Sequence, residues 1–302
     1  MVKSRFQKTL CVLTLMLFLL GALPLATQAE NDPEKAKEMY NEGLKAANDG
    51  NNDQAILSYK AAIGLNPDFL DPYLNLGAIY FQQKKYDDAM DMFKKVSEKD
   101  PANIDAQANI GRVAYKLSKY PEAIAAFKAA IAVDGQNTDL HIELAKVYYR
   151  QKNYPELITT LEACHNLGGG DYLSYYMLGK GYQQQDKLDL AIGAFKKSLE
   201  FKGDNSNAHF AMGQIYLGQE KFKSAASSFK ASFDADSKKH IAMYNYAIAM
   251  ESQDPDAIDQ NIKIWEDYIR IAKKHPKAQS DLAIAQQHVK ELKDRKEKLE
   301  LQ

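Results

Sequence analysis

Small and apolar residues return along this chain at one fixed interval, the step from Gly43 to Gly77. Gly43, Gly77, Gly111, Ala145, Gly179, Gly213 and Ala247 form one series. Ala55, Ala89, Ala123, Leu157, Ala191 and Ala225 form a second, twelve residues after the first six. Four residues further on come Tyr59, Phe93, Phe127, Leu161, Phe195 and Phe229. Loop residues keep the same phase: Pro67 and Pro101, then Gly135, Gly169 and Gly203. Frames therefore begin at 36, 70, 104, 138, 172, 206 and 240. Within a frame the fourth, seventh and eleventh positions are apolar, as in Tyr73, Leu76 and Tyr80, and that spacing lies on one helical face. A second helix brings its own set, such as Ala89, Phe93 and Val96. The pattern predicts an all-α chain of about seven helical hairpins.

The glycines say how the hairpins pack. Glycine inside a helix costs about 1 kcal/mol relative to alanine, so five of them in register need a compensating contact. Close approach of the second helix supplies one, with the aromatic residue of the third series filling the gap. Pro121 and Pro155 fall in the first turn of their predicted helices, where the missing N–H is not needed.

These residues resemble the tetratricopeptide repeat. Its pattern of a large residue, Leu-Gly, Tyr, Ala, Phe, Ala and Pro appears nearly whole as Tyr73, Leu76, Gly77, Tyr80, Ala89, Phe93 and Pro101, with Val96 in place of the last Ala. The resemblance covers about residues 34–276. It implies a right-handed α-solenoid of antiparallel helix pairs with a concave groove, and it makes core packing the role of nearly every patterned residue.

Two stretches depart from the pattern. The frame at 138 carries Leu157, Leu161 and Cys164 where small, aromatic and small residues are expected, then runs into Gly168-Gly169-Gly170. Three glycines raise backbone freedom, so a looser or bent junction is expected there. The frame at 240 is interrupted by Ser252-Gln253-Asp254-Pro255, after which a helix from about Ala257 to Lys274 should carry Trp265 and Tyr268 as core anchors. Residues 277–302 read as a capping helix. Its seam is Leu282, Ala285, Val289, Leu292 and Leu299, and a weak homodimer through it is the sharper alternative to capping.

Residues 1–29 differ in kind from all this. Lys3, Arg5 and Lys8 precede an apolar run from Leu10 to about Ala26, and Thr27 and Ala29 are small. That layout predicts an export signal cleaved after Ala29, and hence a periplasmic or secreted protein. The alternative is an uncleaved inner-membrane anchor of a larger complex, because the run is just long enough to span about 30 Å of hydrocarbon. No membrane contact is expected after cleavage.

The full chain carries 39 basic and 40 acidic residues, a net charge of −1, which gives no bulk attraction to nucleic acid. Hydrophobic residues at 45% exclude a wholly disordered chain. Cleavage would leave one cysteine, Cys164, expected to be buried packing, and a net charge of −4. His141, His165, His209, His240, His275 and His288 lack metal-ligand spacing, and no nucleophile or phosphate-binding motif is present. No catalytic residue, metal or cofactor is expected, and His141 and His209 fall at packing positions of their frames.

In the tetratricopeptide family the groove is lined by about the second, fifth, ninth, twelfth and thirteenth positions of the first helices. Here those positions hold Arg112, Tyr115 and Lys116, then Lys146, Tyr149 and Arg150, then Tyr176 and Lys180. Arg112, Lys146 and Lys180 recur at one position in three successive frames. Cations beside aromatic faces suit an extended, acidic peptide or protein partner. The family's two-carboxylate clamp is absent: Tyr40, Leu44 and Asp105 stand where Lys, Asn and Lys are required.

Overall fold

Asparagine and aspartate side chains open most of the first helices. In the computed structural model, which describes residues 31–301, Asp32 Oδ1 accepts from the Lys35 N–H at 3.0 Å and starts α1 (Pro33–Asn48). Asn103, Asn137, Asp171 and Asn205, each one frame after the last, do the same for α5 (Ile104–Lys116), α7 (Thr138–Gln151), α9 (Tyr172–Gln184) and α11 (Ser206–Gly218). Each side-chain oxygen satisfies an N–H that has no partner within its helix. The remaining first helix of the regular frames is α3 (Asp71–Gln82). The second helices are α2 (Asn52–Leu65), α4 (Tyr86–Lys99), α6 (Tyr120–Val133), α8 (Tyr154–Asn166), α10 (Leu188–Phe201) and α12 (Phe222–Ala235). After them come α13 (His240–Gln253), α14 (Ile258–Ala272), a 3₁₀ turn (Pro276–Ala278) and α15 (Gln279–Glu300). No strand occurs among the described residues. The export signal expected at residues 1–29 lies outside them.

The turn inside each hairpin is also periodic. Gly50, Lys84, Ser118, Lys152, Asp186 and Glu220 follow one another at the frame interval, and all have φ between 57° and 77°. Only the first is glycine, the residue that adopts this left-handed conformation without steric cost.

The described residues form two compact units, one ending at Leu117 and one beginning at Ser118. In the first, α1 to α5 pack in sequence, and Tyr73, Val96 and Ala106 centre a core completed by Ile63, Leu70, Leu74 and Met92. In both units the glycine of a first helix lies against the ring of the second. A Cβ on Gly77 would stand 2.7 Å from Phe93, and one on Gly179 would stand 2.6 Å from Phe195. Those rings are buried, so they have no room to retreat.

In α8, α10 and α12 the last small position of the second helix has a further role. Ser198 Oγ donates to the Tyr172 carbonyl at 2.6 Å, and Ser232 Oγ donates to the Ser206 carbonyl at 2.8 Å. Cys164 stands one frame before Ser198 and sends its Sγ toward the Thr138 carbonyl at 3.6 Å. It is fully buried, as expected, and burial raises its thiol pKa, with Asp139 and Asp171 adding to the shift. The thiol thus makes the contact that serine makes in the next two frames. His141 and His209 also act alike, each placing Nε2 within 3.1 Å of the loop carbonyl six residues back, Gly135 and Gly203.

The triple-glycine junction is not loose. Gly168 and Gly170 take φ values of 80° and 119°, which glycine adopts without steric cost, and Gly169 and Gly170 are in close contact with their neighbours. A Cβ on Gly169 would lie 2.3 Å from Thr138 Cβ, and one on Gly170 would lie 2.7 Å from the His165 ring. His165 stacks on Tyr175 at 3.8 Å, its Nε2 lies 3.2 Å from Ser174 Oγ, and Ser174 closes a capping box with Asp171. Burial lowers the His165 pKa against the pull of Asp171 and Glu162. Gly169→Ala is therefore expected to destabilise the chain by about 1–3 kcal/mol, the usual cost of overpacking. A thermal melt measures it, and an unchanged midpoint would contradict the packed junction.

At the far end, Trp265 and Tyr268 are fully buried anchors, as expected, in a core shared by α13, α14 and α15. Ala285, Val289 and Leu292 of the predicted seam are buried against it, but Leu299 is 53% exposed. Lys296 already pairs with Asp259 at the start of α14, so the next turn of α15 runs past the helix it packs on.

Candidate partner-binding surface

In the second unit the successive first helices α7 and α9 touch, and the contact joins the twelfth position of one frame, Tyr149, to the fifth of the next, Tyr176. The Tyr149 and Tyr176 hydroxyls share a hydrogen bond between them. Tyr176 packs its ring 5.7 Å from Phe195, and its pKa is pushed up to about 12 by burial and then by Tyr149. Lys146 Nζ pairs with Glu143 Oε1 at 3.0 Å, and Lys180 Nζ donates to Gln183 Oε1 at 2.6 Å. Burial lowers the Lys180 pKa. Arg150 is exposed on the same helix as Lys146. The structure therefore brings Lys146, Tyr149, Tyr176 and Lys180 onto neighbouring helices, with Glu143 partly neutralising Lys146.

Arg112, Tyr115 and Lys116 belong to the first unit. Arg112 Nη1 donates to Asn109 Oδ1 at 3.0 Å, Tyr115 is half-buried and Lys116 is exposed. Periodicity alone did not single out the open hollow beside them. Tyr40, Asp71, Leu74, Asn75, Ala78, Asp105 and Asn109 line a concavity of about 410 Å³ on α1, α3 and α5. A second hollow of about 410 Å³ adjoins it and shares Tyr40 and Asp71. Two signals were present in the sequence: Asp71 and Asp105 hold the same frame position, and so do Asn75 and Asn109.

No group of three His, Cys, Asp or Glu among the described residues is placed to hold a metal ion. No described helix is long and apolar enough to cross a membrane.

Family profiles described as tetratricopeptide repeats match residues 46–113, 111–152 and 172–205. The chain is a tetratricopeptide-repeat protein. Its fold is the α-solenoid of that family, and solved structures share it. MamA is 25% identical with a TM-score of 0.53, over 57% of this chain and 94% of that one. PilF of Pseudomonas aeruginosa is 19% identical with a TM-score of 0.57, over 72% and 97% of the two chains. YrrB, described as a TPR protein with an unusual peptide-binding site, is 19% identical with a TM-score of 0.55, over 66% and 97%. No curated protein matches the chain. Tetratricopeptide-repeat proteins are generally non-catalytic scaffolds that hold peptide or protein partners, and the coarse function that follows from this fold is protein–protein interaction.

Proposed function

We propose that this protein is an exported scaffold of the cell envelope, which holds extended segments of partner proteins against the inward positions of its first helices. The observation that carries the binding surface is the pair of hydrogen-bonded phenols, Tyr149 and Tyr176, set between Lys146 and Lys180 on touching helices. Half-buried tyrosines offer contact area at small entropic cost, and the cations add charge-assisted hydrogen bonds to carboxylates. This part of the surface suits an acidic segment. The envelope location rests on the basic and apolar layout of residues 1–29. Assembly, secretion or pilus machinery is the proposed setting, an analogy at the level of the fold.

Reversing Lys146, Arg150 and Lys180 to Glu is expected to abolish capture of the acidic partner from envelope extract, read by quantitative mass spectrometry of the pull-down. Unchanged capture would remove these cations from the binding surface. Intact mass of the protein recovered from cells tests the location: a start at Glu30 supports export, and a retained residue 1 supports the anchored alternative.

A further inference from the structure

We infer that the hollow of the first unit binds a cationic side chain, lysine or arginine, carried on an extended partner segment. This deepens the scaffold reading above and rests on it. Asp71 and Asp105 stand exposed in the first turns of α3 and α5, one frame apart, and both line the hollow. Neither takes part in an ion pair among the described residues, whereas Asp68, Glu143, Glu200 and Asp234 each have one.

Helix polarity favours carboxylates in these first turns, but it does not account for the other groups gathered here. Asn75 Nδ2 donates to the Tyr40 hydroxyl at 3.0 Å and to the Asp71 carbonyl at 3.3 Å, which uses both of its N–H groups and leaves Oδ1 as an acceptor. The guanidinium of Arg112, on α5, is turned onto Asn109 Oδ1. The Asp71 carboxylate helps raise the Tyr40 pKa, after burial and against the Asn75 hydrogen bond, so its charge is felt across the hollow. The walls thus offer two carboxylates, an amide oxygen and a phenol, with Leu74 and Ala78 between them. That set matches a cationic head on an alkyl stem: the stem lies on the apolar residues and the head meets the acceptors. An acidic segment would meet like charge.

The test is fluorescence anisotropy of the purified full chain with a short labelled peptide of alternating lysine and alanine. Asp71→Asn with Asp105→Asn is expected to weaken binding about tenfold, roughly the worth of one charge-assisted hydrogen bond. Asp71→Glu with Asp105→Glu should keep most of it. Glu200→Gln with Asp234→Asn removes the same net charge from two carboxylates of the second unit that already pair with Lys197 and Lys230, and should leave binding within about twofold. Circular dichroism checks that each variant folds. If the Asn pair disturbs folding, Asp105→Asn alone is read, and a weakening of about threefold is expected.

Equal binding by the Asn variants, or equal weakening by the remote pair, overturns the inference, as does no binding by the wild type. The envelope pull-down separates the two readings. Capture that depends on Lys146 and Lys180, with no lysine-peptide binding, sinks this inference and leaves the scaffold standing. Peptide binding lost with Asp71 and Asp105, without any envelope capture, does the reverse.

Discussion

Gly179→Ala lowers the denaturation midpoint, and adding Phe195→Leu restores most of the loss. The new methyl would sit 2.6 Å from Cδ1 and Cε1 of Phe195, a ring with no exposure. Alanine gains about 1 kcal/mol of helix propensity over glycine, while forcing a methyl into a filled core costs about 1–3 kcal/mol. At 2.6 Å the overlap belongs at the upper end of that range, so the net loss is expected at about 2 kcal/mol. The chain already contains the compensated version: one frame earlier, Ala145 stands where glycine does elsewhere, and Leu161 stands where the ring does, both fully buried. Urea melts of the single and double variants read the coupling. A single variant more stable than the parent would refute the close approach that the glycine series implies.

Trp265→Ala has the other large expected effect. Trp265 is fully buried, donates from Nε1 to Glu251 Oε2 at 2.7 Å, and stacks on His288 of α15 with ring centroids 4.9 Å apart and planes 6° from parallel. Removing the indole costs about 3–5 kcal/mol by the usual range for large aromatic residues. It also takes away the platform on which α15 lies. The expected result is a lower thermal midpoint together with rapid amide exchange over residues 279–300, while α1 to α5 keep their protection. Solenoid repeats contact mainly their neighbours, so damage at one end stays largely local. Uniform loss of protection along the chain, or an α15 that remains protected, would show that Trp265 does not hold that end.

Much of this architecture could be read from spacing, because each hairpin buries the same seam and the seam repeats in the residues. The two helices per frame and the buried small and aromatic residues of the regular frames follow from that rule. Two expectations did not hold: a loose glycine junction and a buried Leu299. Gly168-Gly169-Gly170 looks like slack in isolation, but the residues that make it tight, Thr138 and His165, are supplied by folding. Leu299 fits the period of α15, yet periodicity is silent on where the supporting helix ends. The left-handed turns at Lys84, Ser118, Lys152 and Glu220 gave no signal, since Lys, Ser and Glu do not mark such a turn as Gly, Asn or Asp do.

The proposed binding surface divides the same way. Spacing alone puts Arg112, Lys146 and Lys180 at one frame position, and it needs no coordinates because a sequence repeat sets equivalent residues on equivalent helices. Charge partners do not follow from spacing. Lys146 is tied to Glu143 and Arg112 to Asn109, while Asp71 and Asp105 have no ion pair among the described residues around their hollow, and these facts depend on rotamers and on distances between helices. Residue order therefore determined the repeat, its helices and the faces they turn inward, because those obey local periodicity. Only the tertiary structure decided which charges are already paired and which are not, because that depends on side chains from different helices meeting in space.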